Sequence, residues 1–278
     1  PSATGRGFDK PALIRLRGNE RVPHPNAATP PSLIEFQRDL AWLLALLVAV
    51  LLWDQTGLDL AAMRAFGNPS GFPWRDHWLT RGVLHEGGRA LGYLVLFALI
   101  VNVWKPLPFA RRLTRGERAR WLATLLLCVA IIPLLKAHSL TSCPWSLREF
   151  GGSAIHVSHW RWGIGDGGGG GCFPSGHAST AFCLLGGWFA LRHQHAAAAR
   201  LWLAGTLTGG VVLGVAQTAR GAHYPSHTLW SAWLCWAISA AQPSGGSCTL
   251  ATRGGTSGTV VSTRILPGSP VRISSSVG

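Results

Sequence analysis

Long apolar runs alternate with short basic or glycine-rich stretches along this chain. Six stretches contain no Asp, Glu, Lys or Arg: residues 40–53, 90–104, 121–135, 173–191, 201–219 and 221–242. Each reads as a membrane-spanning helix. Several fall short of the roughly 20 residues that cross a hydrocarbon core, so polar flanks extend them and Arg and Lys stems reach outward along the lipid. The second span begins nearer Gly82, and the sixth starts at the Pro225 break. The pattern predicts an all-α fold, a six-transmembrane helix bundle over residues 36–242. An N-terminal arm, 1–35, precedes it. The Gly-, Ser- and Thr-rich tail, 243–278, has no acidic residue and no helical period, and is expected to be disordered.

Composition agrees with a bilayer. Hydrophobic residues make up 47% of the chain against 13% charged, and the mean hydropathy is +0.24, all unusual for a soluble protein. The formal charge of +14 raises nucleic acid as a partner. However, the basic residues cluster between apolar segments and not in an aromatic-laced basic domain, so no nucleic-acid binding is expected. Their distribution sets orientation instead, because cytoplasmic loops hold the excess of Lys and Arg. Residues 105–120 carry Lys105, Arg111, Arg112, Arg115, Arg118 and Arg120 against Glu117 alone. That loop, the N-terminal arm and the Arg192–Arg200 link are read as inside, with both termini cytoplasmic in an inner membrane. Residues 54–89, 136–172 and 220–227 then face out. Trp53, Trp104, Trp121 and Trp202, near segment ends, are expected as interfacial anchors.

Of the six cysteines, Cys128, Cys183 and Cys235 lie in apolar runs and read as small buried hydrophobes. Cys143 and Cys172 fall in outward loops and are candidates for a disulfide. The chain starts at Pro1 and its only methionine is Met63, which suggests a processed or incomplete N-terminus.

The chemistry gathers on the outer face. In Pro174-Ser175-Gly176-His177, Pro174 suits a first helical turn, and the N–H groups of Ser175, Gly176 and His177 would point out of the helix start toward an anion. Gly176 would let a ligand approach the backbone closely. The preceding Asp166–Cys172 run, with five glycines in a row, lacks the Lys and Ser/Thr ending of a nucleotide loop and reads as a flexible hinge. Arg220 closes span five, and His223 and His227 follow in one tight turn around Pro225. Lys136 ends span three. Lysine and arginine suit phosphate oxygens, and histidine serves as nucleophile or proton donor near neutral pH. His156 and His159 have no obvious third metal ligand and read as loop surface. Trp145, Trp160 and Trp162 are read as lining a headgroup access route or anchoring the loop.

These residues resemble the type 2 phosphatidic acid phosphatase family, whose membrane members have six helices. That family carries Lys, six residues, Arg-Pro; then Pro-Ser-Gly-His; then Ser-Arg, five residues, His, three residues, Asp. The counterparts here are Lys136 with Pro144, the intact Pro174–His177 element, and His223. The resemblance implies phosphoryl transfer to His223, protonation of the departing oxygen by His177, and binding of phosphate by Lys136, Ser175, Gly176 and an arginine, with no metal or cofactor in the scheme. The expected partner is a membrane lipid bearing a phosphate headgroup.

Three charged positions of the pattern are replaced. Cys143 and Gln217 stand where the family has arginines, and His227 stands where it has the aspartate that orients the nucleophile. Arg220, one helical turn beyond Gln217, is expected to supply the lost cation. Neutral His227 is expected to accept a hydrogen bond from His223, with Glu149 or Asp166 as alternative orienting groups. The reading is therefore a membrane lipid phosphate or diphosphate phosphatase. A phosphotransferase on the same fold and a non-catalytic binder of anionic headgroups are the alternatives.

Overall fold

A computed structural model describes residues 33–242; the N-terminal arm before Leu33 and the expected disordered tail lie outside the described residues. Eight α-helices follow in order: α1 Leu33–Asp54, α2 Leu58–Phe66, α3 Gly88–Trp104, α4 Arg115–His138, α5 Gly176–Phe182, α6 Gly186–Leu191, α7 Ala196–Ala219 and α8 Pro225–Ala240. A π-helical stretch, Leu79–Gly87, runs into α3, and a 3-10 turn, Cys183–Leu185, joins α5 to α6. No strand occurs among the described residues.

Among the described residues, four helices are long and apolar enough to cross a membrane: α1, the continuous Leu79–Trp104 rod, α4 and α7. The other two expected spans form shorter helices. At about 1.5 Å per residue, the 16 residues of α8 reach about 24 Å, less than a typical hydrocarbon core of about 30 Å. The fourth expected span is broken into α5, the 3-10 turn and α6. Around this broken segment the other helices assemble, since α5 packs against α3, α4, α7 and α8.

Small residues permit that closeness. A Cβ on Gly210 of α7 would fall 2.1 Å from the Phe182 ring, and one on Gly214 would fall 2.4 Å from Thr228 of α8. Helices in lipid gain nothing from apolar burial alone and associate through such close contacts. The core between them holds Leu99, Trp121, Leu125, Cys128, Phe182 and Leu185. Trp121, expected as an interfacial anchor, is 1% exposed. Its indole meets Trp202 edge-on at 5.0 Å, because its helix turns that face inward. Outward, α1, α3 and α7 present Trp42, Leu52, Leu94, Phe97, Leu201 and Val215, as lipid-facing surfaces do.

At one end of the bundle the loops form a compact roof with Met63, Phe72, Leu147, Phe150 and Tyr224 at its centre. The Cys143–Cys172 disulfide is formed. The glycine run is not a free hinge. Asp166 accepts from Ser142 N, Ser142 Oγ and Gly168 N, while Gly170 N and Gly171 N donate to Ser142 Oγ and Ser139 O. Gly170 adopts φ +62° with Ser139 O only 2.7 Å from where a Cβ would stand. The glycines thus serve tight, left-handed turns.

Candidate active site

The α7–α8 turn sets the position of His223. Arg220 caps α7, and Gly221 reverses the chain at φ +71°, a position where any Cβ would meet the Phe72 ring at 2.3 Å. Ala222 N and His223 N then return to Gln217 O, closing the helix in the usual left-handed manner. Pro225, which needs no partner for a nitrogen without hydrogen, opens α8. His223 is consequently fixed between two helices and 3% exposed.

The Pro174–His177 element docks onto the same turn. Helix α5 begins at Gly176, with Ser175 as its N-cap and Phe173-Pro174 in a cis bond before it. Pro174 is therefore outside the first turn where the sequence had placed it. Ser175 N donates to His227 O at 3.1 Å, and Ser231 Oγ donates to Ser175 O at 2.9 Å. The Ser175 N–H, expected to be free for an anion, is thus engaged in holding α5 to α8. Gly176 and His177 head the helix, where backbone donors have no intrahelical acceptor.

Two cations converge there. Lys136, at the end of α4, lays its stem beside Gly176, with Nζ 3.8 Å from the position a Cβ would take. Arg220 Nε donates to Arg75 O at 2.8 Å and its Nη1 to Gln217 Oε1 at 3.2 Å. Gln217, in place of the family's arginine, therefore holds Arg220. Both cations lie within electrostatic reach of His177, and among the described residues neither has a carboxylate partner.

Some residues were not found in the sequence. The His85 ring lies 4.1 Å from that of His177, and its Nδ1 pairs with Glu86 Oε1 at 2.9 Å. Asp59 accepts from Ser226 N and from Trp53 Nε1. Asp54 accepts from Trp160 Nε1 and Trp230 Nε1, and sits 3.3 Å from His159 Nε2. A carboxylate ending an apolar run was the one available signal for Asp54. His159 is not loop surface, since its ring stacks on Phe173 at 4.3 Å.

The orienting group differs from every expectation. The His227 ring stands 5.8 Å from that of His223, and neither His227 nitrogen makes a hydrogen bond. Glu149 is engaged by Arg64 at 2.5 Å, and Asp166 by the Ser142 loop. What faces His223 Nδ1 is the Cys172 sulfur at 3.6 Å. Cys172, His223 and His227 place their ligand atoms within 4.8 Å of one another, but a disulfide-bonded sulfur is no thiolate ligand.

Burial holds the His223 imidazole well below its ordinary pKa, and Lys136 and His177 push it further down, with the Cys172 backbone in partial opposition. It is neutral at physiological pH, the form a nucleophile requires. A buried neutral imidazole, an adjoining imidazole and two unpaired cations suit a phosphate group, where positioning and charge stabilisation supply most of the catalysis.

Residues 119–244 match the model of the PAP2 superfamily. Comparisons with curated proteins and with solved structures give no match. The matched stretch takes in both histidine-bearing elements and both cations, on helices suited to a membrane, and over that stretch the chain is similar to the PAP2 superfamily.

Proposed function

We propose that the protein is an integral membrane phosphatase for a lipid phosphate or diphosphate. The observation that carries this reading is the meeting of Lys136, Arg220, His177 and His223, from separate parts of the chain, at one end of the bundle. With Nδ1 facing Cys172, the Nε2 atom of His223 attacks phosphorus, and the bond from phosphorus to the lipid oxygen breaks. His177 gives that oxygen its proton. Water then attacks the phosphohistidine, His177 takes the water proton, and phosphate leaves with His223 neutral again. Lys136, Arg220 and the backbone of Gly176 stabilise the charge on the equatorial oxygens. The distribution of loop charges supports placing this end of the bundle at the outer leaflet of an inner membrane, where an amphiphilic substrate presents its headgroup.

One feature favours a second reading, a non-catalytic binder of anionic headgroups: among the described residues no carboxylate makes a hydrogen bond or ion pair with His223. Phosphate release from a panel of lipid phosphates and diphosphates separates the two. Release that is sensitive to vanadate and lost in His223→Ala supports the phosphatase. Lipid phosphate that binds and stays intact through long incubation supports the binder.

A further inference from the structure

Asp54 is an unusual place for a negative charge. It ends α1, where the helix dipole disfavours an anion, and its side chain is 2% exposed. The protein nevertheless supplies it with two indole donors, both on Oδ2, while Oδ1 has no hydrogen-bond partner among the described residues. Beside it, His159 is held flat against Phe173, the residue preceding Pro174, at an interplanar angle of 7°. The His159 and His227 rings stand 5.8 Å apart, as do those of His227 and His223.

A cavity of about 70 Å³ touches Asp54, His159 and His227, with Asp59, His156 and Tyr224 completing its polar wall. Among the described residues, Asp54 Oδ1 and both nitrogens of His227 are buried without hydrogen-bond partners, and His159 Nε2 has only its contact with Asp54 Oδ2 at 3.3 Å. Such groups seldom stay unpaired, and a polar cavity of this size accepts one or two bridging waters. Asp59 is already occupied by Ser226 and Trp53, which leaves Asp54 as the carboxylate with a free oxygen.

We propose that Asp54 and His159 are positioning residues which, through water and His227, do for His223 what an adjacent aspartate does elsewhere in the family. This inference rests on reading His223 as the nucleophile. Negative charge at Asp54, carried through bridging water, polarises His227, which has a ring nitrogen within 4.8 Å of one of His223, and favours the cationic, phosphorylated form of His223. The carboxylate has in effect moved from α8 to the end of α1, with His227 occupying its old position.

A double-variant experiment tests it. Phosphate release is measured for the wild type, Asp54→Asn, His227→Asp and the double variant. Asp54→Asn is expected to lower kcat about 10- to 100-fold with KM little changed, as loss of an outer supporting group does. In the His227→Asp background, which restores a direct carboxylate, Asp54→Asn is expected to be nearly silent. A defect of undiminished size in that background overturns the proposal. A second readout needs no activity: in protein with ¹⁵N-labelled histidine, Asp54→Asn is expected to shift the ring signals of both His159 and His227. A shift confined to His159 overturns the relay even if His223→Ala has abolished phosphate release. Paired shifts in a protein that releases no phosphate uphold the relay and refute the phosphatase reading.

Discussion

His223 turns its Nδ1 toward the Cys172 sulfur, 3.6 Å away, so a disulfide and not a carboxylate backs the imidazole. The partner sulfur belongs to Cys143, which stands where the family has an arginine. One departure from the family pattern is therefore used to brace the site of another.

Opening that bridge tests the bracing. The bridge spans 29 positions, and closing a loop of that size removes unfolded-chain entropy worth roughly 3–4 kcal/mol. Cys143→Ser, or treatment with a dithiol, is expected to lower the thermal midpoint in detergent and to reduce phosphate release in the protein that remains folded. Unchanged turnover after complete reduction would show that the sulfur plays no part at His223.

Arg220 is expected to replace the cation lost at Gln217. Arg220→Ala should reduce kcat/KM by about 10²–10³-fold, the scale for removing one donor from a developing oxyanion. Lysine at 220 should recover little of this, because it cannot keep the bonds to Arg75 O and Gln217 Oε1 while reaching a phosphate. Gln217→Arg in the Arg220→Ala background should restore part of the rate. Steady-state kinetics on the four proteins checks all three expectations.

The acid limb of activity should lie well below pH 6.5. Burial, Lys136 and His177 hold His223 neutral, so the free enzyme keeps its nucleophile in mildly acidic solution, and kcat/KM reports that state. Stability follows the same linkage. Below pH about 6.5 the unfolded chain binds a proton that the folded His223 refuses, so stability falls as pH drops through that window and recovers as pH rises. Thermal unfolding of wild type and His223→Ala between pH 5 and 8 measures the difference, and the wild type should show the steeper loss toward acid.

Packing at α7 should be intolerant. In Gly210→Ala the new methyl would stand 2.1 Å from the Phe182 ring, and overpacking of this kind costs about 1–3 kcal/mol. Gly205, with open space around its Cβ position, provides the control: its alanine variant should keep or slightly raise the thermal midpoint, since alanine is the better helix former.

Much of the fold was legible because the bilayer imposes a simple code. Uncharged runs gave α1, α3, α4 and α7 directly, and the spacing of Lys136, Pro174–His177 and His223 picked out side chains that the fold brings to one end of the bundle. Helix α2 was not legible, since it lies in a loop of mixed charge with no extended apolar period, and although the second span was read as starting near Gly82, its π-helical geometry there left no mark in the sequence. The break between α5 and α6 was hidden for the opposite reason, because its residues are as apolar as those of a continuous helix. Contacts across long separations were the hardest to read. Nothing local to Asp54 announces Trp160 and Trp230, and nothing in the glycine run reveals Asp166 as the residue that orders it.

The most direct test of the account is a trapping experiment with a lipid phosphate labelled at phosphorus. Rapid quenching in base during turnover should capture label on the protein, stable to base and released by acid, on the peptide containing His223. The label should be absent from His223→Ala. Label on another residue, or full phosphate release by His223→Ala, would contradict the account.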